Sequence, residues 1–203
     1  MVQRTNALDP DLVVLTGDMI DGPPDTLKDQ MAPLGKLTAG YGVFGVTGNH
    51  EYYFRADQWL TVFKTLGVVM LSNDHKTLSV RGGAELVIAG VPDPVGQRFG
   101  GPAPDPGKAL MGAPDVLRVL LAHQPNGVSG HTGADIQLSG HTHGGNLFFM
   151  KWLLAAFNGG FVNGRYNVNG KMLYVSPGTG IWSGFSCRLG IPSEITRIVL
   201  RSL

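Results

Sequence analysis

The sequence predicts an α/β fold. Short apolar runs each end in glycine or alanine and a polar residue: "DLVVLTGD", "YGVFGVTGNH", "VLRVLLAH" and "DIQLSGH". Such runs read as buried, parallel strands. Between the first three strands the spacing turns helical, so the order is β-α-β-α-β and then mostly β. The 203 residues suffice for one core, and 43% hydrophobic against 15% charged is a globular balance.

Taken in order, residues 11–18 form the first strand. Residues 25–37 follow with Leu27, Met31 and Leu34 on one face, interrupted by Pro33. Residues 41–50 are a second strand, and 55–66 a helix whose stripe is Trp59, Leu60, Phe63 and Leu66. "VVML" is a third strand. Residues 76–81 and 84–91 pair about the Gly82-Gly83 turn. Residues 93–106 are a surface loop rich in proline and glycine. Strands ending at His123 and His141 come next, then "KMLYVSPG" and the alternating "EITRIVLRSL".

Some functions are excluded at once. A net charge of +1 gives no argument for a nucleic-acid surface, and no nucleic-acid partner is expected. The lone Cys187 permits no intrachain disulfide and no cysteine-rich zinc module, so a metal would rest on His, Asp, Glu and Asn. The first residues carry no signal-peptide core, and no run reaches the roughly 18 apolar residues of a membrane span. Localisation is left open; an export signal or membrane anchor of a longer protein would precede residue 1.

In open α/β sheets, ligands collect beyond the carboxyl ends of strands. Asp18, Asn49-His50, His123 and His141-His143 each stand there. Singly, Asp18 reads as a turn or cap, Gly48-Asn49 as a turn, and His123 as a hydrogen-bonded strand end. His141 and His143 are alternate residues that glycines could bend onto one ion. Together they are a set of oxygen and imidazole donors without thiolate, suited to Mn, Fe or Zn. A carboxylate that bridges two such ions is the standard device of phosphoester hydrolysis.

The series "GDMID", "GNHE", isolated His123 and "GHTH" resembles the calcineurin-like metallophosphoesterase superfamily over nearly the whole chain. The surrounding stretches resemble a bacterial branch often carried behind membrane segments or export signals. Some of its members act on lipid-linked phosphate or pyrophosphate esters. The resemblance implies a four-layer α-β-β-α sandwich, with residues 1–203 as one domain. It also implies two divalent ions (Mn, Fe or Zn) and metal-activated water. Asp18 would bridge the ions; Asn49, His123 and His141 would complete one site, and His143 would serve the other. His50 would act at the leaving group, oriented by Asp21, with Glu51 supporting their loop. His75 and His131 match no motif and are expected at the surface.

One motif of the superfamily is absent. Its first, Asp-x-His, supplies two ligands of one metal, and the chain from Met1 contains none. Residues 2–11 resemble the tail of the helix that joins the first strand to the second. About 20–30 residues of a βαβ unit are therefore expected to be missing: one strand, its loop and most of a helix. One metal site is expected to be complete and the other to lack two ligands. A second function class, a catalytically impaired scaffold, would have lost ligands across several motifs; here the later four are intact.

Residues 147–157 are unusually apolar. They read either as a helix packed on the sheet or as an exposed lip beside the site. Such a lip would rest on a bilayer and admit a lipid phosphate, with Lys151 at the headgroups and Trp182 and Phe185 extending it.

Overall fold

The structure, a computed structural model, describes residues 1–126, 133–181 and 187–201, with Phe148 by its backbone alone. His131, Trp182 and Phe185 lie outside the described residues.

The first half is a β-α-β-α-β unit. Helix α1 (Val2–Asn6) leads into β1 (Val13–Leu15). Then α2 (Pro24–Met31) and a 3-10 turn (Ala32–Lys36) precede β2 (Val43–Gly45). The α-helix gives way to the 3-10 turn just before Pro33, whose ring cannot donate to the helical ladder. Helices α3 (Asn49–Tyr53) and α4 (Ala56–Thr65) precede β3 (Val68–Met70). The three strands pair in parallel in the order β1-β2-β3. Of the predicted stripe of α4, Trp59 and Phe63 are buried on this sheet, whereas Leu60 and Leu66 are half-buried. Trp59 and Phe63 stack with ring centroids 5.5 Å apart and pack with Val13, Val43 and Val68.

The second half is a mixed sheet. A hairpin joins β4 (Asp74–Ser79) to β5 (Glu85–Gly90) through Gly82 and Gly83, both at positive φ. Helix α5 (Pro106–Ala109), β6 (Leu117–Leu121), β7 (Ile136–Ser139), α6 (Lys151–Phe157), β8 (Gly164–Val168) and β9 (Lys171–Val175) follow. The strand order is β4-β5-β6-β7-β9-β8, with β5, β6, β7 and β9 parallel.

The period-two alternation of β5 divides its side chains between two cores. Leu86 and Ile88 meet Phe44, Val46 and Leu71 between the sheets. Val87 and Ala89 face the other way, toward Ala109 of α5 and Ala134. The layers therefore run α-β-β-α, as the resemblance implies, with a thin outer layer over the second sheet.

Several expectations need correction. Of the predicted strand 194–203, residues 194–201 form none despite their alternation, and 202–203 lie outside the described residues. Strand β9 already has neighbours on both sides. The edge of β1 away from β2 has no strand partner among the described residues and borders a cavity of about 1190 Å³ whose walls include Leu15, Ile88, Ile136 and Ile198. An alternating segment without a strand at pairing distance gains no ladder. The 93–106 loop is not all surface: Asp93 and Gly96 are buried, and Pro94–Phe99 forms a 3-10 turn. His75 is half-buried, and its Nδ1 donates to the Ala109 carbonyl at 2.8 Å. Strand β8 and helix α3 are additions to the predicted order. Among the described residues no helix is long and apolar enough to cross a membrane.

Candidate metal centre

Four loops converge beyond the carboxyl ends of β1, β2, β6 and β7. Glycines let the first two approach. A Cβ on Gly48 would stand 2.2 Å from Asp18 Oδ1, and one on Gly17 would stand 2.7 Å from His123 Nδ1. The backbone is left-handed at Asp18 (φ 52°), His141 (φ 69°) and His143 (φ 50°). Non-glycine residues rarely adopt that conformation, and such strain gathers at functional sites.

A buried carboxylate clamps the first two loops together. Glu51 Oε2 accepts from the backbone N–H of Gly48 at 2.6 Å and of Asp18 at 3.0 Å; Oε1 accepts from Met19 at 2.7 Å. Asp18 Oδ1 in turn accepts from His50 N at 2.9 Å. Burial, and then the charge of Asp18, push the Glu51 carboxyl up; the N–H groups oppose this.

The donor atoms of Asp18, His123 and His141 lie within 4.8 Å of one another. The carbonyl of Thr16, 2.7 Å from His123 Nδ1, can only accept, so Nδ1 carries a proton. That leaves Nε2 facing Asp18 Oδ2 at 3.1 Å, Asn49 Oδ1 at 3.2 Å and His141 Nδ1 at 3.2 Å. His141 Nδ1 is also 3.0 Å from Asn49 Oδ1. Lone pairs crowd on one point. Without an ion, a second proton on His123 relieves them. Burial alone would lower the His123 pKa, yet the charges of Asp18 and Asp93 raise it to about 9. Burial opposes ionisation of Asp18 too, but His123 and the hydrogen bonds hold it at about 2. Burial and the His123 charge lower His141 to about 4. A divalent cation fits this donor set, because it satisfies every lone pair at once.

Residues 1–145 match the family model described as calcineurin-like phosphoesterase. The chain belongs to that family. A cow protein named transmembrane protein with metallophosphoesterase domain is 35% identical over 99% of this chain and 48% of its own length. An uncharacterized metallophosphoesterase of Campylobacter jejuni is 36% identical over 99% of this chain and 53% of its own. The chain thus spans about half the length of the curated relatives it matches. Among solved structures, the sulfate thiohydrolase SoxB of Thermus thermophilus is similar over 85% of this chain and 35% of its own, with a TM-score of 0.56 and 16% identity. That likeness concerns the fold alone.

In this calcineurin-like phosphoesterase the predicted site residues fall into two groups. Asp18, Asn49, His123 and His141 meet. His143, on the next turn, lies apart from their mutual contacts; its buried Nδ1 has no hydrogen-bond partner among the described residues. Burial and the nearby Arg188 charge lower its pKa, which favours the neutral form a ligand needs. His50 and Asp21 are paired, Nδ1 to Oδ1, at 2.8 Å.

The sequence reasoning passed over two supports. Gln124 Nε2 donates to both carboxylate oxygens of Asp93, at 3.2 and 3.0 Å, behind His123. Asp93 follows shortly after β5, the same strand-end signal that marks the other motifs. The Arg188 guanidinium donates to the carbonyls of His143, Pro177, Gly178 and Gly180, tying the "SPGTG" loop to the metal loop. Only its lone charge near the C-terminal glycines hints at this.

Proposed function

We propose that this protein hydrolyses phosphoesters at a two-metal centre. The family is one of metal-dependent phosphoester hydrolases. The observation that carries the reading is the meeting of Asp18, Asn49, His123 and His141 beside the paired His50 and Asp21. These four would hold one divalent ion; Asp18 and His143 would contribute to a second. Bound ions supply positive charge for the phosphoryl oxygens and lower the pKa of the attacking water.

The chain's own groups do the rest. The Asp21 carboxylate fixes the His50 ring and its Nδ1 proton, leaving Nε2 for the substrate. As water oxygen bonds to phosphorus and the ester P–O bond breaks, the proton on His50 Nε2 passes to the departing alcohol oxygen, and the proton released by the attacking water restores the ring. Glu51 keeps Asp18 and Gly48 in register for this geometry. The finer reading is a lipid-linked ester. Helix α6 follows the His143 turn closely and exposes 82% of Trp152 and 71% of Phe157, which suits peripheral contact with a bilayer.

The test is release of nitrophenol from p-nitrophenyl phosphate and its diester by the Mn-loaded protein. Turnover should vanish in Asp18→Asn and His141→Ala. In His50→Gln it should fall about 10²–10⁴-fold, as for loss of a general acid, with bound metal unchanged. Wild-type protein that binds metal yet turns over no ester would overturn the proposal. Co-sedimentation with liposomes tests the lipid reading separately; equal hydrolysis of soluble and micellar esters, without co-sedimentation, would overturn that part.

A further inference from the structure

Beside the metal centre lies a groove of about 210 Å³. Asp18, His50 and His143 form its reactive end. Away from that end its wall is made by Met19, Ile20, Leu27, Met31 and Ile181. The only other polar side chains among the described residues lining it are Asp21, already bonded to His50, and Gln30, which is exposed. A sugar or nucleoside placed there would give up hydrogen bonds to water and recover few, which is costly. A hydrocarbon would lose nothing and gain burial.

We propose that this groove takes the alcohol-derived group of the substrate, and that this group is a hydrocarbon joined directly to the phosphoryl oxygen. The inference rests on the hydrolase reading and on the groove's continuity with it. A phosphoryl group at Asp18 and His143 puts the ester oxygen near His50, the residue that protonates it, and the carbon chain then runs along Leu27, Met31 and Ile181. Ile181 is 54% exposed, so the wall is formed in part by a side chain that a ligand would cover. The sequence alone marks no subsite here, because the apolar residues between Met19 and Met31 meet Ile181 from some 150 residues further on.

The test uses methyl-, butyl- and hexylphosphonate, which cannot be hydrolysed, with binding followed by calorimetry on the Mn-loaded protein. The matching alkyl phosphates are assayed in parallel by phosphate release. Affinity and kcat/KM should each rise about fourfold per added methylene, the transfer free energy of one buried CH₂ expressed as a ratio. Ile181→Ser should flatten that dependence. Met31→Gln is the second variant, should the first fail to fold. Equal affinity for methyl- and hexylphosphonate would overturn the groove assignment. If short esters are hydrolysed without any dependence on length, the subsite fails and the hydrolase reading stands. If no phosphonate binds and no ester is cleaved, both fail.

Discussion

Glu51 holds Asp18 from behind. Its fully buried carboxylate accepts the backbone N–H of Asp18 at 3.0 Å while binding Gly48 and Met19 as well. The residue expected to bridge the metals is therefore fixed by a neighbour that does not face them. In Glu51→Gln the amide group would turn a donor toward one of these N–H groups. The expected cost is about 1–3 kcal/mol, that of a buried unsatisfied donor. Urea denaturation measures it; a variant as stable as wild type would contradict the clamp.

Gly48 is needed for space rather than for flexibility. Its φ of −99° suits any residue, but a Cβ would stand 2.2 Å from Asp18 Oδ1 and 2.5 Å from Asp18 N. Gly48→Ala should weaken metal binding at least tenfold, because Asp18 must move. Calorimetric titration with Mn measures this, and unchanged affinity would show that the loops yield without cost.

The His123 pKa of about 9 lies above its ordinary 6.5. The stability His123 lends to the metal-free protein is thus complete below pH 6.5 and lost as pH rises through about 9. His141, at about 4, works in the opposite sense: its contribution is present above pH 6.5 and lost as pH falls through about 4. Metal-free protein should therefore lose stability between pH 6.5 and 9. Protein with Mn bound should lose much less there, since the ion occupies the lone pair that the proton leaves. Urea melts across that range, with and without chelator, decide it. A flat metal-free limb would contradict the assignment of a proton to His123.

Arg188 ties two loops through carbonyl groups alone. In Arg188→Ala the carbonyls of Pro177, Gly178 and Gly180 lose a charged donor, at an expected cost of about 1.5–3 kcal/mol. Arg188→Lys should recover only part, because one ammonium cannot span the set. Denaturation midpoints of the two variants separate these outcomes.

Much of this was legible in the sequence, for a physical reason. Buried parallel strands read as unbroken apolar runs, and α/β sheets deliver their reactive groups at the carboxyl ends, so Asp18, Asn49, His123 and His141 could be placed together before any coordinate. What escaped depended on three dimensions or on brief signals. The edge strand β8 carries weak alternation, although the Asn169-Gly170 turn, with φ of 53° and 81°, marks its hairpin with β9. The last alternating segment fits a strand by its periodicity yet forms none, because periodicity does not reveal whether a neighbour is within reach. Helix α3 is only five residues long, started by the same "GNHE" that serves the site. The left-handed backbone at His141 and His143 has no reliable mark in sequence.

The most direct measurement is metal content per chain, by elemental analysis of protein purified without chelator and supplied with Mn. The expected result is one tightly held ion and a second, weaker one: the tight ion is lost in His141→Ala and kept in His143→Ala, because the donor atoms of Asp18, His123 and His141 converge while His143 lies apart. No bound ion, or an ion lost equally in both variants, would contradict the account of the centre.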